Sequence, residues 1–211
     1  MNETRDILLK KVHASHFHSE KRALRKWLQM ALFAAIAVAL GLVLIAVPNV
    51  ELVTATFFVS GYFLGVKRGV ATALVGEFLY SLLNPFGAAP PPLLLAQLAG
   101  MGLAAAAGAT LGRRITRWPP LVKMPLFGLL GLSVTFCFDF LTTVSFLIFS
   151  GLTKATFLAS LLYGLGFYIL HMVSNTLLFF FFIPFLFPFL EQHVPGLAEN
   201  SPRSSKTEPK P

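Results

Sequence analysis

Apolar residues in this chain run in long continuous blocks, broken by a small number of polar residues at helical spacing. The blocks predict helices near 27–47, 52–66, 69–84, 93–111, 124–149 and 157–187. A helix rises 1.5 Å per residue, so about 20 apolar residues cross a hydrocarbon core of about 30 Å. The runs are continuous rather than alternating, which excludes the strands of a transmembrane β-barrel. In lipid the backbone must satisfy its own hydrogen bonds, and helices do so within one segment. The pattern therefore predicts an all-α polytopic membrane protein, a bundle of six transmembrane helices. The second and third segments are tight, joined by "GVKRGV". The sixth is longer than a bilayer requires, so it must tilt, break near Pro184 or Pro188, or begin later.

Composition agrees with this reading. The chain is 55% hydrophobic and only 12% charged, with a mean hydropathy of +0.72, whereas a soluble domain carries about 25% charged residues. The net charge of +8 invites a nucleic-acid partner, but the cations sit at the ends of apolar segments. With the N-terminus in the cytoplasm, sixteen of the seventeen lysines and arginines fall in cytoplasmic segments, and only Lys154 lies outside. This meets the positive-inside rule and places both termini in the cytoplasm.

Three regions follow: a basic segment 1–26, a six-span membrane domain 27–190, and a tail 191–211. Residues 1–26 are too long and polar for a signal n-region, so the first span is expected to be retained. "DILLKKVHASHFHSEKRALRKWL" suits a basic helix on the inner membrane surface. His13, His16 and His18 fit a solvated, partly protonated face better than a metal site. "GLAENSPRSSKTEPKP" has the composition of a disordered end.

Ionisable groups inside a membrane segment are costly and call for a reason. Glu51, Glu77, Asp139 and His171 are such groups, and each has polar company one or two turns away. Glu77 is followed by Tyr80, Ser81 and Asn84; Asp139 stands with Thr135, Thr142 and Thr143; His171 stands with Tyr168 and Asn175. These offsets share a helix face, so three stripes point to a common polar interior. Helix-to-helix hydrogen bonding without any ligand is the alternative. For Glu51 two readings stand side by side. It is a surface carboxylate suited to a helix start after Pro48-Asn49, or it faces a ligand at the outer mouth of the bundle.

Small residues carry a packing message. Ala96, Gly100, Ala104, Gly108 and Gly112 form a ridge along the fourth segment, read as an internal contact. Ala31, Ala35 and Ala39 form a second ridge on the first segment, read as a peripheral face open to a partner helix. The lone Cys137 excludes an internal disulfide and a cysteine metal cage. No Walker A, HExxH or GxSxG pattern occurs, so no catalytic residue, metal site or cofactor is assigned. "NPFGAAPPP", residues 84–92, is a proline-stiffened external loop suited to be the rim of an outward-facing site.

Taken in order, "ALFAAIAVA", "PNVELVT", "GYFLGVKRGVATALVGEFLYSLLNPFG", "AQLAGMGLAAAAGATLGR", "FDFLTT" and "HMVSN" resemble the S component of energy-coupling factor (ECF) transporters. The resemblance covers roughly Trp27 to Phe189 and is closest to the cobalamin-type and related members. It implies a substrate-capture subunit of an ATP-driven vitamin or micronutrient importer, resident in the bacterial cytoplasmic (inner) membrane. Such a subunit takes ligand from outside and docks on a transmembrane coupling subunit with two ATPases. Ala31, Ala35 and Ala39 match the face that contacts the coupling subunit. The family's outward pocket is consistent with Asn49, Glu51, Asn84, Gln97, Asp139, His171 and Asn175 as substrate-binding residues. A non-transporting scaffold, or an intramembrane enzyme using Asp139 and His171, are the rival classes.

Overall fold

The fold comes from a computed structural model that describes residues 2–47 and 50–198, with side chains from residue 20 onward except at 195 and 198. It is all-helical among these residues: α1 (Asn2–Leu44), α2 (Val53–Leu82), α3 (Pro91–Ala107), α4 (Arg113–Ile115), α5 (Pro120–Ser150), α6 (Lys154–Phe181), α7 (Ile183–His193) and α8 (Pro195–Ala198). A π-helical turn, Gly108–Gly112, joins α3 to α4. Four stretches are long and apolar enough to cross a membrane: Glu20–Leu44, Pro91–Ile115, Pro120–Ser150 and Lys154–Phe181.

The predicted second and third segments form a different object. At Gly65, φ is +80° and ψ 172°, and α2 folds back there into two arms, 53–64 and 66–82. That backbone region is essentially reserved for glycine. The arms lie against each other where side chains are absent: a Cβ on Gly69 would come within 2.5 Å of Gly61 Cα. Each arm is shorter than the ~20 residues of a full span. The six-segment expectation thus resolves into four helices of spanning length and one helical hairpin.

The ridge on α3 is an internal contact. A Cβ on Gly61 would strike the Ala105 carbonyl, and one on Gly108 the Phe58 carbonyl, so hairpin and α3 touch backbone to backbone. The long last segment does break: α6 ends at Phe181 and α7 starts at Ile183, with Pro184 in its first turn. Proline has no N–H to donate and its ring would meet the carbonyl four residues back, so the ladder restarts around it.

α1 runs without interruption from Asn2 into its apolar part, so the basic segment and the first span are one helix. Packing also continues past residue 190. Leu197 is buried, and Gln29 Nε2 donates to the Gly196 carbonyl at 2.7 Å. The beginning of the buried part of α1 and the end of the described chain therefore lie together. Residues 199–211, most of the predicted tail, lie outside the described residues.

One end of the bundle is filled with rings. Phe58, Tyr62, Phe63, Phe127, Phe179 and Phe187 are buried there, with Tyr62 and Phe187 stacked at 3.8 Å between centroids. Arg113 belongs to this end: Nε donates to the Tyr62 carbonyl at 2.7 Å and Nη2 to that of Phe63 at 3.3 Å. It satisfies carbonyls that the hairpin turn leaves without helical partners. The hairpin tip, with Lys67 and Arg68, thus shares an end with Arg113, Arg114 and the Gln29 region. At the opposite end the interior is polar and hollow.

Candidate functional site

α5 and α6 run antiparallel and meet through a ladder of polar pairs, one per turn. Asn175 Nδ2 donates to Thr135 Oγ1 at 3.1 Å. His171 Nδ1 lies 2.8 Å from Asp139 Oδ1. Thr143 donates its hydroxyl proton to the Asp139 carbonyl at 2.7 Å, so it accepts from the Tyr168 hydroxyl at 2.6 Å. Positions 135, 139 and 143 pair with 175, 171 and 168, the order that antiparallel helices impose. Two of the three polar stripes are thereby joined directly.

Glu51 links this ladder to the hairpin. Its Oε2 accepts from the Thr54 backbone N–H at 2.8 Å, satisfying a donor at the start of α2. Its Oε1 accepts from Asn175 Nδ2 at 3.2 Å and lies 3.5 Å from His171 Nε2. One oxygen thus serves the helix start, as one reading held, though the side chain is shielded and not at the surface; the other faces protein groups at the edge of a cavity. His171 is bracketed by Asp139 and Glu51, and only a ring carrying N–H at both nitrogens donates to both. The group is shielded: the side chains of His171, Asp139 and Glu51 are 7%, 13% and 21% exposed.

The third stripe, on the second arm of α2, faces the same region across open space. A cavity of about 350 Å³ is lined by Glu51, Glu77, Tyr80, Asn84, Gln97 and His171, with Met101 and Phe138 among its apolar walls. A second cavity, about 260 Å³, shares Gln97, Phe138 and His171 and adds Asp139, Thr142 and Tyr168. A third, about 480 Å³, shares Leu93, Thr142 and Tyr168 and opens among the hydroxyls of Thr143, Ser150, Thr156, Ser160 and Tyr163. Shared lining residues set the three side by side, a track of adjoining cavities that runs from α1 and α2 past α3 to α5 and α6. The cavity beside Glu51 and Glu77, about 350 Å³, is by itself within the few-hundred to ~1,000 Å³ range of small-molecule sites.

Several buried polar atoms along the track have no partner within the protein: Glu77 Oε2, Gln97 Oε1 and Asp139 Oδ2. Buried polar atoms are normally paired. All three residues line the hollow region, but these particular atoms have almost no accessible surface, so a solute or water completes their bonding only when the side chains turn toward it.

Of the residues singled out from sequence, Glu51, Asn84, Gln97, Asp139 and His171 border the track. Asn175 is buried just beneath, bonded to Glu51 and Thr135. Asn49 lies outside the described residues. Asn84 also builds the rim, its Oδ1 accepting from the Phe86 N–H at 2.9 Å to shape the proline-rich loop. Ala31, Ala35 and Ala39 are exposed while Ala34 and Ala37 are buried, so the first ridge faces outward. Sequence reading missed Phe138, which walls two cavities, and Thr156, Ser160 and Tyr163. The last three share one helix face by spacing, a signal that was present in the chain.

Comparison with protein-family models, with curated proteins and with solved structures finds no match to this chain.

Proposed function

We propose that the protein is a substrate-capture subunit of an ATP-driven micronutrient importer of the ECF type, with no catalysis of its own. In this reading the chain is a six-span protein of the bacterial cytoplasmic membrane, the two hairpin arms serving as the second and third spans. The supporting observation is the polar track bordered by unpartnered Glu77, Gln97 and Asp139 oxygens. It lies at the end of the bundle away from Lys67, Arg68, Arg113 and Arg114. By the positive-inside rule that end faces out, where a scavenged solute arrives.

Delivery needs a state that holds the ligand less well, reached by docking on a coupling subunit driven by two ATPases. A change of partner shifts affinity only through differential contacts with the two states. The element proposed to move is α6: only 6% of the residues in its most apolar window are buried, and it is tied to α5 by the polar ladder and by Phe179 and Phe180 packed on Gly131 and Gly128. Movement of α6 would open the track along its whole length. The outward alanines of α1 supply a flat face for a partner helix.

The test is affinity purification of tagged protein from membranes co-expressing the host's coupling subunit and ATPases, with Ala35→Trp as the control. Capture of the ATPase module by the wild type and not by the folded variant is the expected result. Capture by neither, with both folded, would overturn the importer reading and favour a scaffold.

A further inference from the structure

The chemistry around Glu77 says what kind of ligand belongs here, an inference that rests on the capture reading above. Glu77 is 1% exposed, its Oε2 has no partner, and it borders the 350 Å³ cavity that Glu51 also lines. Among the described residues, no lysine or arginine lines this cavity or the adjoining one. Among the described residues the imidazole of His171 is the one basic group on either wall, and it is engaged by Asp139 and Glu51. Three carboxyl groups thus share one imidazole, and the one left over is Glu77.

The unpartnered atoms along the two cavities agree in kind. Gln97 Oε1 is an acceptor, and Glu77 Oε2 and Asp139 Oδ2 are acceptors whenever their carboxyl groups are ionised. A ligand that completes them must bring donors. An uncompensated buried carboxylate is costly, and an opposite charge with N–H donors relieves the cost most directly. Phe138 walls both cavities, and where its ring face meets the ligand a cation is favoured over an anion.

We infer that the site takes a small organic cation, with a protonated nitrogen between Glu77 and Glu51 and N–H donors directed at the Glu77 and Gln97 oxygens. Its uncharged remainder lies past Phe138 toward the largely apolar third cavity.

Three probes with one aryl frame separate the possibilities: benzylamine, benzyl alcohol and benzoate, cationic, neutral and anionic at pH 7. The thermal midpoint of purified protein in detergent is followed as each is titrated. Benzylamine alone should raise it saturably, by about 5 °C at a hundredfold excess over its Kd. Glu77→Gln should cut that affinity at least tenfold, and Gln97→Lys, which sets a fixed cation in the cavity, should abolish it. The selectivity of the wild type is decisive even if a variant fails to fold. A saturable response to benzoate or benzyl alcohol in place of benzylamine would overturn the cation assignment while leaving a solute site in place. No response to any of the three would also overturn it. The capture reading is judged separately, by recovery of the ATPase module.

Discussion

Removing the Asp139 carboxylate should cost more stability than neutralising Glu51, although both touch the same imidazole. The geometry sets the order. Asp139 stands 2.8 Å from His171 and Glu51 3.5 Å, and the Asp139 side chain is the more shielded of the two acids. Breaking a buried charged pair in a soluble protein costs about 3–5 kcal/mol. In a membrane the unfolded helices find other partners, and interhelical polar contacts average nearer 0.6 kcal/mol, with a maximum near 1.7. Asp139→Ala also leaves His171 Nδ1 without a partner, so about 2 kcal/mol is expected. A chain of this size loses about 2–4 °C per kcal/mol, which gives a fall of about 4–8 °C. Glu51→Gln keeps an oxygen for the Thr54 N–H but turns its amide nitrogen toward both Asn175 Nδ2 and His171 Nε2. The Asn175 amide can rotate its unpartnered oxygen to meet the new N–H, so the variant's net loss is the longer contact to His171. Its fall should stay below about 2 °C, equivalent to about 0.5 kcal/mol. The assay is thermal unfolding of ligand-free protein in detergent, read by a thiol-reactive fluorogenic dye. Cys137, the only cysteine, is half-buried on α5 and reports loss of that helix directly. Equal falls, or a larger one for Glu51→Gln, would refute the assignment of Asp139 as the principal partner of His171.

Two further outcomes test the scaffold that presents the site. Gly61→Leu or Gly108→Leu should each destabilise by about 3 kcal/mol or prevent assembly, because the new side chain meets a backbone carbonyl that cannot give way; yield and monodispersity in size-exclusion chromatography are the readouts. Gly65→Ala, forced to φ +80°, should cost about 1–3 kcal/mol, seen as a lower unfolding midpoint by the same dye assay.

Much of the site was legible before any coordinates, because lipid makes polar residues informative. Asp139, His171 and Asn175 stood out as polar exceptions within apolar runs, and helical spacing was enough to group them into stripes. Phe138 was invisible for the converse reason: a phenylalanine in an apolar run carries no signal until its neighbours are known. Tyr62 and Phe63 likewise gave no hint that their carbonyls would be held by Arg113, fifty residues on. Backbone acceptors have no sequence signature.

By itself the sequence determined the all-helical class, the crowding of cations at segment ends, the close-packing ridge of α3 and the polar stripes. Each depends on local periodicity or on the price lipid sets for a polar group, and both can be read along one strand of text. The fold-back at Gly65 belonged to the tertiary structure, because "GVKRGV" fits a tight link between two spans as well as a hairpin of shorter arms. The dual role of Glu51 did too, since one oxygen serves its own helix and the other reaches residues more than a hundred positions away. Which stripes touch and which enclose a cavity is decided by how whole helices pack, through contacts between residues distant in sequence.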